Sequence, residues 1–200
     1  ASLRNLSYTY RPTITLILSN LCNLECKYCG PQSSSVWAEK LKDGRWIKGY
    51  VDPNDVEFQR KQDIVQNWIN SMLDKNPVVI INGGEPTINK DLYEWMNFLN
   101  KPGTNIVINS NLNTTDNWMN TMIDSINRLI DNGVHVFIRA SLDGYRQQND
   151  WQRFGSNWTQ IEKNLEKYMK TKVDIGIFPT ITPLTLESLL SLCKIGRAHV

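Results

Sequence analysis

Apolar, β-branched residues come in five short runs along the chain, each followed by a stretch with helical spacing. Residues 13–19 (TITLILS) are the first run and suit a buried strand. Residues 20–37 are polar and rich in Cys and Ser, which reads as a loop. Residues 38–55 mix charge with Gly44, Gly49 and Pro53, which reads as an irregular insertion. Over 56–73, Phe58, Ile64, Val65, Trp68, Ile69 and Met72 recur near helical spacing, and Pro77 follows as a stop. A second strand at 78–81 is broken by Gly83-Gly84-Glu85-Pro86. Leu92, Trp95, Met96 and Leu99 predict an amphipathic helix over 91–100, and Pro102-Gly103 a turn. A third strand at 105–109 (NIVIN) leads to a helix over 116–131, opened by Asp116 as its N-cap and closed by Asn132-Gly133. A fourth strand at 134–142, a helix over 158–170, a fifth strand at 173–178 and a helix over 184–193 complete the pattern. Trp68 and Trp95 read as core faces of their helices, and His135 as an ordinary strand residue.

Strand and helix alternate five times, the signature of an α/β fold with parallel strands and right-handed crossovers. A doubly wound sheet and a barrel both fit. No G-x-G-x-x-G follows the first strand, so a dinucleotide-binding sheet is disfavoured. In parallel α/β folds chemistry gathers at the carboxyl ends of the strands. Every distinctive polar motif of this chain falls at such an end.

Composition narrows the class. With 200 residues, 40% of them hydrophobic and 21% charged, the chain can bury a core as one globular domain. A net charge of +2 is too mild to argue for a nucleic-acid partner. No run of about 18 apolar residues predicts a membrane span, and no secretion signal is read at the N-terminus. Three of the four cysteines, Cys22, Cys26 and Cys29, stand together, and Cys193 stands far away. A tight triplet suits one metal centre better than disulfides, so a reducing, cytoplasmic setting is expected.

The triplet reads C-x3-C-x2-C. Three thiolates on one loop can wrap a soft metal centre. Structural zinc would need a fourth ligand, for which Cys193 is the candidate. Iron–sulfur clusters are normally held by four thiolates, and three would leave one iron open, the mark of a catalytic centre. From the residues alone, both a catalytic cluster and a non-catalytic zinc or iron–sulfur module stay open.

C-x3-C-x2-C after a first strand, with Tyr28 before the last cysteine, resembles the radical S-adenosylmethionine (radical SAM) superfamily. The resemblance implies a partial (β/α)6 TIM-like barrel, of which about five units are present. It implies that Cys22, Cys26 and Cys29 hold a 4Fe–4S cluster whose open iron chelates S-adenosylmethionine. Reductive cleavage then gives a 5′-deoxyadenosyl radical that acts on a substrate. Gly83-Gly84-Glu85-Pro86 is similar to the family's GGE motif, which binds the cofactor's amino group, and Tyr28 would touch the cofactor through backbone or ring. Ser141, with Arg153 twelve positions on, is similar to the pattern in members with SPASM or twitch extensions, where serine meets ribose and arginine the carboxylate. Asn149-Asp150 stands where a histidine-aspartate pair is usual, a partial departure. Asn109-Ser110-Asn111 would face cofactor or substrate, or form an Asx turn. Arg139 would serve in a salt bridge or in the barrel interior. The run Gly30-Pro31-Gln32-Ser33-Ser34-Ser35-Val36-Trp37 resembles twitch-domain members from viral and environmental sequences.

A peptide or protein side chain is the favoured substrate, with a small molecule as the alternative. An electron donor such as flavodoxin or ferredoxin is expected, and no catalytic residue beyond the cofactor site is identified. The last six residues, IGRAHV, correspond to a translated sequencing-adapter sequence. Residues 194–200 are therefore expected to be non-native and residues 1–193 to be an incomplete radical SAM core. Ala1 in place of Met likewise suggests a piece of a longer protein.

Overall fold

The computed structural model describes residues 11–41 and 56–197. Its elements in chain order are β1 (Thr13–Ile17), β2 (Glu25–Cys26), α1 (Ser35–Leu41), α2 (Val56–Asn70), β3 (Val78–Asn82), α3 (Lys90–Phe98), β4 (Asn105–Ser110), α4 (Asp116–Asp131), β5 (His135–Ala140), α5 (Gln147–Gln152), β6 (Arg153–Phe154), α6 (Trp158–Met169), β7 (Asp174–Ile177) and α7 (Leu186–Arg197). Five strands form one sheet in the order β1-β3-β4-β5-β7, and every neighbouring pair is parallel. This is the α/β architecture that the alternation predicts.

Side chains alternate across each strand, so one face of the sheet is apolar throughout. Val79, Ile81, Ile106, Ile108, Val136 and Ile138 are buried there and join one core with Ile69 of α2, Met96 of α3, Ile126 of α4 and Ile161 of α6. Each such fully buried Ile or Met contributes about 1.5–3 kcal/mol relative to an exposed one. The opposite face carries a different row at its carboxyl end. Ile17 pairs with Asn82, Asn109 with Arg139, and Arg139 with Gly176. The Asn109 amide donates to Asn82 Oδ1 and joins the two halves of the row. Ile17 stands exposed on this face, which is the open side of the sheet.

Several elements differ from expectation. The loop over 20–37 contains the two-residue β2 and the start of α1. The expected insertion over 38–55 is helical to Leu41, and the rest of it lies outside the described residues. The short α5 and β6 have no apolar period to announce them. Trp95 is buried as expected, but Trp68 is 54% exposed: Ile69, next along α2, takes the core position. The last helix, expected over 184–193, is α7 (Leu186–Arg197).

The start of α4 also departs. Its N-cap is Thr115, whose side chain makes no capping bond, and Asp116 is the first helical residue. The Asp116 carboxylate instead meets Lys163 Nζ at 2.6 Å and Lys167 Nζ at 2.8 Å on α6. Hydrogen bonds from both lysines pull its pKa from 3.8 to about 2. A depressed carboxyl contributes stability that is present above its unfolded pKa and lost as pH falls through the folded one. Asp116→Asn should therefore flatten the acid side of the stability profile between pH 3.8 and about 2. Urea unfolding across that range checks this, and added salt should shrink the wild-type slope because the pair is exposed.

Candidate functional site

The loop between β1 and α1 carries the three cysteines, and serines stitch it in place. Ser34, fully buried, donates to the Leu24 carbonyl at 2.8 Å. Ser35 Oγ accepts from the Cys22 amide and donates to the Cys22 carbonyl, both at 3.1 Å. Trp37 Nε1 donates to the Cys26 carbonyl at 3.1 Å. The serine–tryptophan run thus satisfies backbone groups that a tight loop leaves orphaned. Asn23 adds a long-range tie, accepting from Asn111 Nδ2 at 2.9 Å beyond the end of β4.

The strand-end motifs close around this loop. Gly83 and Gly84 both have positive φ, +102° and +34°. What comes close to them is the chain itself: a Cβ on Gly83 would meet Ser19 O at 2.5 Å, and one on Gly84 would meet Asn20 C at 2.8 Å. The glycines therefore let the end of β3 lie against the start of the cysteine loop. The Glu85 amide donates to Leu21 O at 2.7 Å and fixes that contact. The Glu85 carboxylate is buried and saturated. It accepts from Thr87 N at 3.2 Å, Thr87 Oγ1 at 2.6 Å, Ser110 Oγ at 2.8 Å and Asn111 N at 2.6 Å. Burial raises its pKa, and these donors offset that only in part. Glu85 caps the short 3-10 helix Pro86–Ile88 and ties β3 to β4.

Arg153 reaches the loop through a second, two-stranded ribbon. β2 pairs antiparallel with β6, and Cys26 is the partner of Arg153. The Arg153 guanidinium lies against Asp143: Nη2 donates to Oδ1 at 3.1 Å, and Nε is 2.8 Å from Oδ2, although its N–H is not aimed at that oxygen. Nη1 is 3.9 Å from Cys26 Sγ. Asp143 is wholly buried and also accepts from the Tyr28 hydroxyl and from Thr180 N, the latter at 2.7 Å. Burial works against the Arg153 charge, but Tyr28, Asp143 and Cys26 outweigh it and its pKa rises. Burial also pushes the Tyr28 phenol well up, so it stays a donor. Burial raises the thiol of Cys22 as well, and that of Cys26 to about 11 even with Arg153 beside it. A cation bound there must displace these protons.

A cavity of about 340 Å³ opens at the carboxyl ends of the strands. Cys22, Cys26, Cys29 and Tyr28 line one side. Gly83, Gly84, Glu85 and Pro86 line it as well, together with Ser141 and Arg153. Every residue expected at the site is thus brought to one cavity. Ser141 donates its amide to Ser110 O at 2.8 Å, and its hydroxyl has no partner among the described residues. Asn109 lines the cavity too, and Asn111 forms the anticipated Asx turn, accepting from Asn113 N at 2.8 Å. Sequence reasoning missed Asn82, and it missed Asp143 as the hub behind the cysteine loop. A larger hollow of about 640 Å³, lined by Asn100, Arg128 and Asn132 among others, lies at the opposite ends of α3 and α4 and is open to solvent.

The donor set suits an iron–sulfur cluster. Three thiols line the cavity, while no His or Asp does, and its one Glu is saturated by protein donors. One iron of a 4Fe–4S cluster would then have no protein ligand. Cys193 is exposed on α7 and is not among the cavity's residues. Among the described residues, no three His, Cys, Asp or Glu side chains converge closely enough to hold a single metal ion.

Comparison with known proteins agrees with this picture. The family model described as the radical SAM superfamily matches residues 16–194. The Fe-coproporphyrin III synthase of Methanosarcina barkeri is 26% identical over 145 residues, 70% of this chain and 29% of that protein. The crystal structure of Streptococcus suis SuiB bound to S-adenosylmethionine matches with a TM-score of 0.64 at 14% identity, over 96% of this chain and 39% of that one. SuiB bound to its precursor peptide SuiA matches with a TM-score of 0.59 at 14% identity, over 94% of this chain and 38% of SuiB. The chain therefore spans between about three-tenths and two-fifths of the length of these relatives. The fold is the partial TIM-like barrel of these enzymes. Among the described residues, no helix is long and apolar enough to cross a membrane.

Proposed function

The chain belongs to the radical SAM superfamily, whose cofactors are a 4Fe–4S cluster and S-adenosylmethionine, and from that premise we propose that it initiates radical chemistry on a substrate at the strand-end cavity. The observation that carries this reading is the gathering of Cys22, Cys26 and Cys29 on the same cavity as the free Ser141 hydroxyl. In this reading the three thiolates hold the cluster. Such a cluster would supply the electron for reductive cleavage of S-adenosylmethionine, which starts the radical chemistry.

The protein's own part is to bind, orient and shield. Backbone groups at Gly83, Gly84 and Pro86 receive the cofactor's amino group, while the Glu85 carboxylate holds that turn against β4 instead of reaching the ligand. Ser141 hydrogen-bonds ribose. Arg153 offers the N–H groups left over from Asp143 to the methionine carboxylate. Tyr28, whose hydroxyl is held by Asp143, presents its ring to the cavity. A flavodoxin or ferredoxin would supply the electron.

Two substrate classes have support. A peptide or protein side chain fits the fold likeness to SuiB, one structure of which holds a precursor peptide. A small molecule fits the nearer sequence likeness to a synthase of Fe-coproporphyrin III.

Anaerobic reconstitution with iron and sulfide, followed by electron paramagnetic resonance with and without S-adenosylmethionine, tests the reading. A cluster signal that changes on adding the cofactor supports it, whereas bound zinc and no cluster would sink it. Ser141→Ala should weaken cofactor binding about fivefold, the loss of one hydrogen bond of about 1 kcal/mol, at unchanged iron content. Isothermal titration of the reconstituted protein reads both constants.

A further inference from the structure

Arg153 stands in an unusual relation to Cys26. The two are cross-strand partners in the β2–β6 ribbon, so backbone hydrogen bonding, not side-chain chance, sets their separation. The Lys27 amide donates to the Gln152 carbonyl at 2.9 Å and extends the same ribbon. Nη1 of Arg153 reaches Cys26 Sγ at 3.9 Å, and both residues are more than nine-tenths buried.

The guanidinium has little freedom to leave. Asp143 holds its Nε–Nη2 edge, and Asp143 is itself fixed by Tyr28, Thr180 N and, through its own amide, Asn149 Oδ1 at 3.1 Å. The pair is therefore an oriented dipole, its positive end on the sulfur of Cys26 and its negative end behind. A buried charge acts through a lower effective dielectric than a solvated one, and salt screens it less.

We infer that Arg153 is a positioning residue that donates to the Cys26 sulfur and sets the reduction potential of the cluster the three cysteines would hold. The inference rests on the cluster reading above and adds a role to it. A reduced cluster carries one more negative charge than an oxidised one. A fixed cation and an N–H···S bond at a ligand sulfur stabilise that extra charge, and hydrogen bonds to sulfur and local net charge are the levers that set such potentials. Arg153 thus makes the cluster easier to reduce. Removing its charge lowers the potential, and it also leaves Asp143 buried without its cation, which lowers it further.

The test is a redox titration followed by electron paramagnetic resonance on the reconstituted chain, with iron and sulfide content measured alongside. Arg153→Gln keeps a donor for Asp143 but loses the charge, and its midpoint should move to more negative potential than wild type. Arg153→Lys keeps the charge and loses the fork, and should lie between the two. Lys27→Gln removes an equal charge at an exposed position in the cysteine loop itself, where the ammonium sits 2.8 Å over the Trp151 ring, and should leave the midpoint unmoved. Unchanged midpoints in both Arg153 variants, or an equal shift in Lys27→Gln, would overturn the inference while leaving the cluster reading intact. A wild-type chain that takes up no iron would overturn both. Should Arg153→Gln fail to assemble a cluster, Arg153→Lys against Lys27→Gln decides the matter by the same comparison.

Discussion

Cys22→Ala, Cys26→Ala and Cys29→Ala are each expected to abolish cluster assembly, while Cys193→Ala leaves it unchanged. The expectation follows from where the thiols stand. The first three line one cavity at the carboxyl ends of the strands, and the fourth is exposed on α7 away from it. Loss of a residue that only supports a ligand already costs about 10–100-fold in metal affinity. Loss of a ligand from a set of three, with no spare donor in the cavity, should cost more. Glu85 cannot substitute, because its carboxylate is occupied by Thr87, Ser110 and Asn111. Iron and sulfide content after anaerobic reconstitution is the readout, with circular dichroism to show that the fold persists. The substitutions should leave the fold intact because the loop is held by Ser34, Ser35 and Trp37 through backbone carbonyls, not through the thiols. Metal lost in Cys193→Ala would return the four-cysteine zinc module to the front, and iron retained at wild-type level in Cys26→Ala would mean that Cys26 is not a ligand.

The parts of the fold visible in the sequence are those where burial repeats with the geometry of the element. Residues 78–81 and 106–108 are unbroken apolar, β-branched runs because both faces of a parallel strand are partly covered. The helix Trp158–Met169 shows its core face as Trp158, Ile161, Leu165 and Tyr168. Trp68 misled because periodicity marks a stripe without saying which edge of it is covered; Ile69 is buried and Trp68 is not. α5 and β6 were invisible for a different reason. They are held by the Asn149, Gln152 and Arg153 side chains and by backbone pairing to the cysteine loop, none of which leaves an apolar period.

The candidate site divides the same way. The cysteines and Gly83-Gly84-Glu85-Pro86 could be read because each motif is contiguous in sequence. Asp143 could not, since its partners Arg153, Thr180 and Tyr28 stand 10, 37 and 115 positions away. The glycines were legible as a close approach but not as to what approaches. The contact is with the chain's own Ser19 to Leu21 backbone. Much of the site is thus a scaffold for the cysteine loop, built from residues whose types alone suggest ligand contacts.

That scaffold makes Gly84→Ala strongly disruptive for a single added methyl group. The residue has φ of +34°, a region that costs an L-residue about 1–2 kcal/mol. Its new Cβ would lie 2.5 Å from the Leu21 carbonyl carbon and 2.8 Å from that of Asn20. Those atoms are backbone and are pinned, since Leu21 O accepts the Glu85 amide and Asn20 O accepts the Ser35 amide at 2.7 Å. Relief of the clash requires the cysteine loop and the end of β3 to separate, an overpacking cost of about 1–3 kcal/mol. The sum, about 2–5 kcal/mol, is a large share of the 5–15 kcal/mol that holds a typical domain folded. Gly133→Ala isolates the backbone part. It also sits at positive φ, +79°, but its Cβ would find its nearest neighbour, Pro102 Cβ, at an ordinary 3.6 Å. Urea unfolding should therefore show a loss of about 1–2 kcal/mol for Gly133→Ala and a clearly larger one for Gly84→Ala. Gly84→Ala should also reduce iron uptake, because the loop it displaces begins one residue before Cys22; Gly133→Ala should not. Equal losses in the two variants would mean that the loop yields freely at Leu21, and that the close approach of β3 to the cysteine loop is not what requires the glycine.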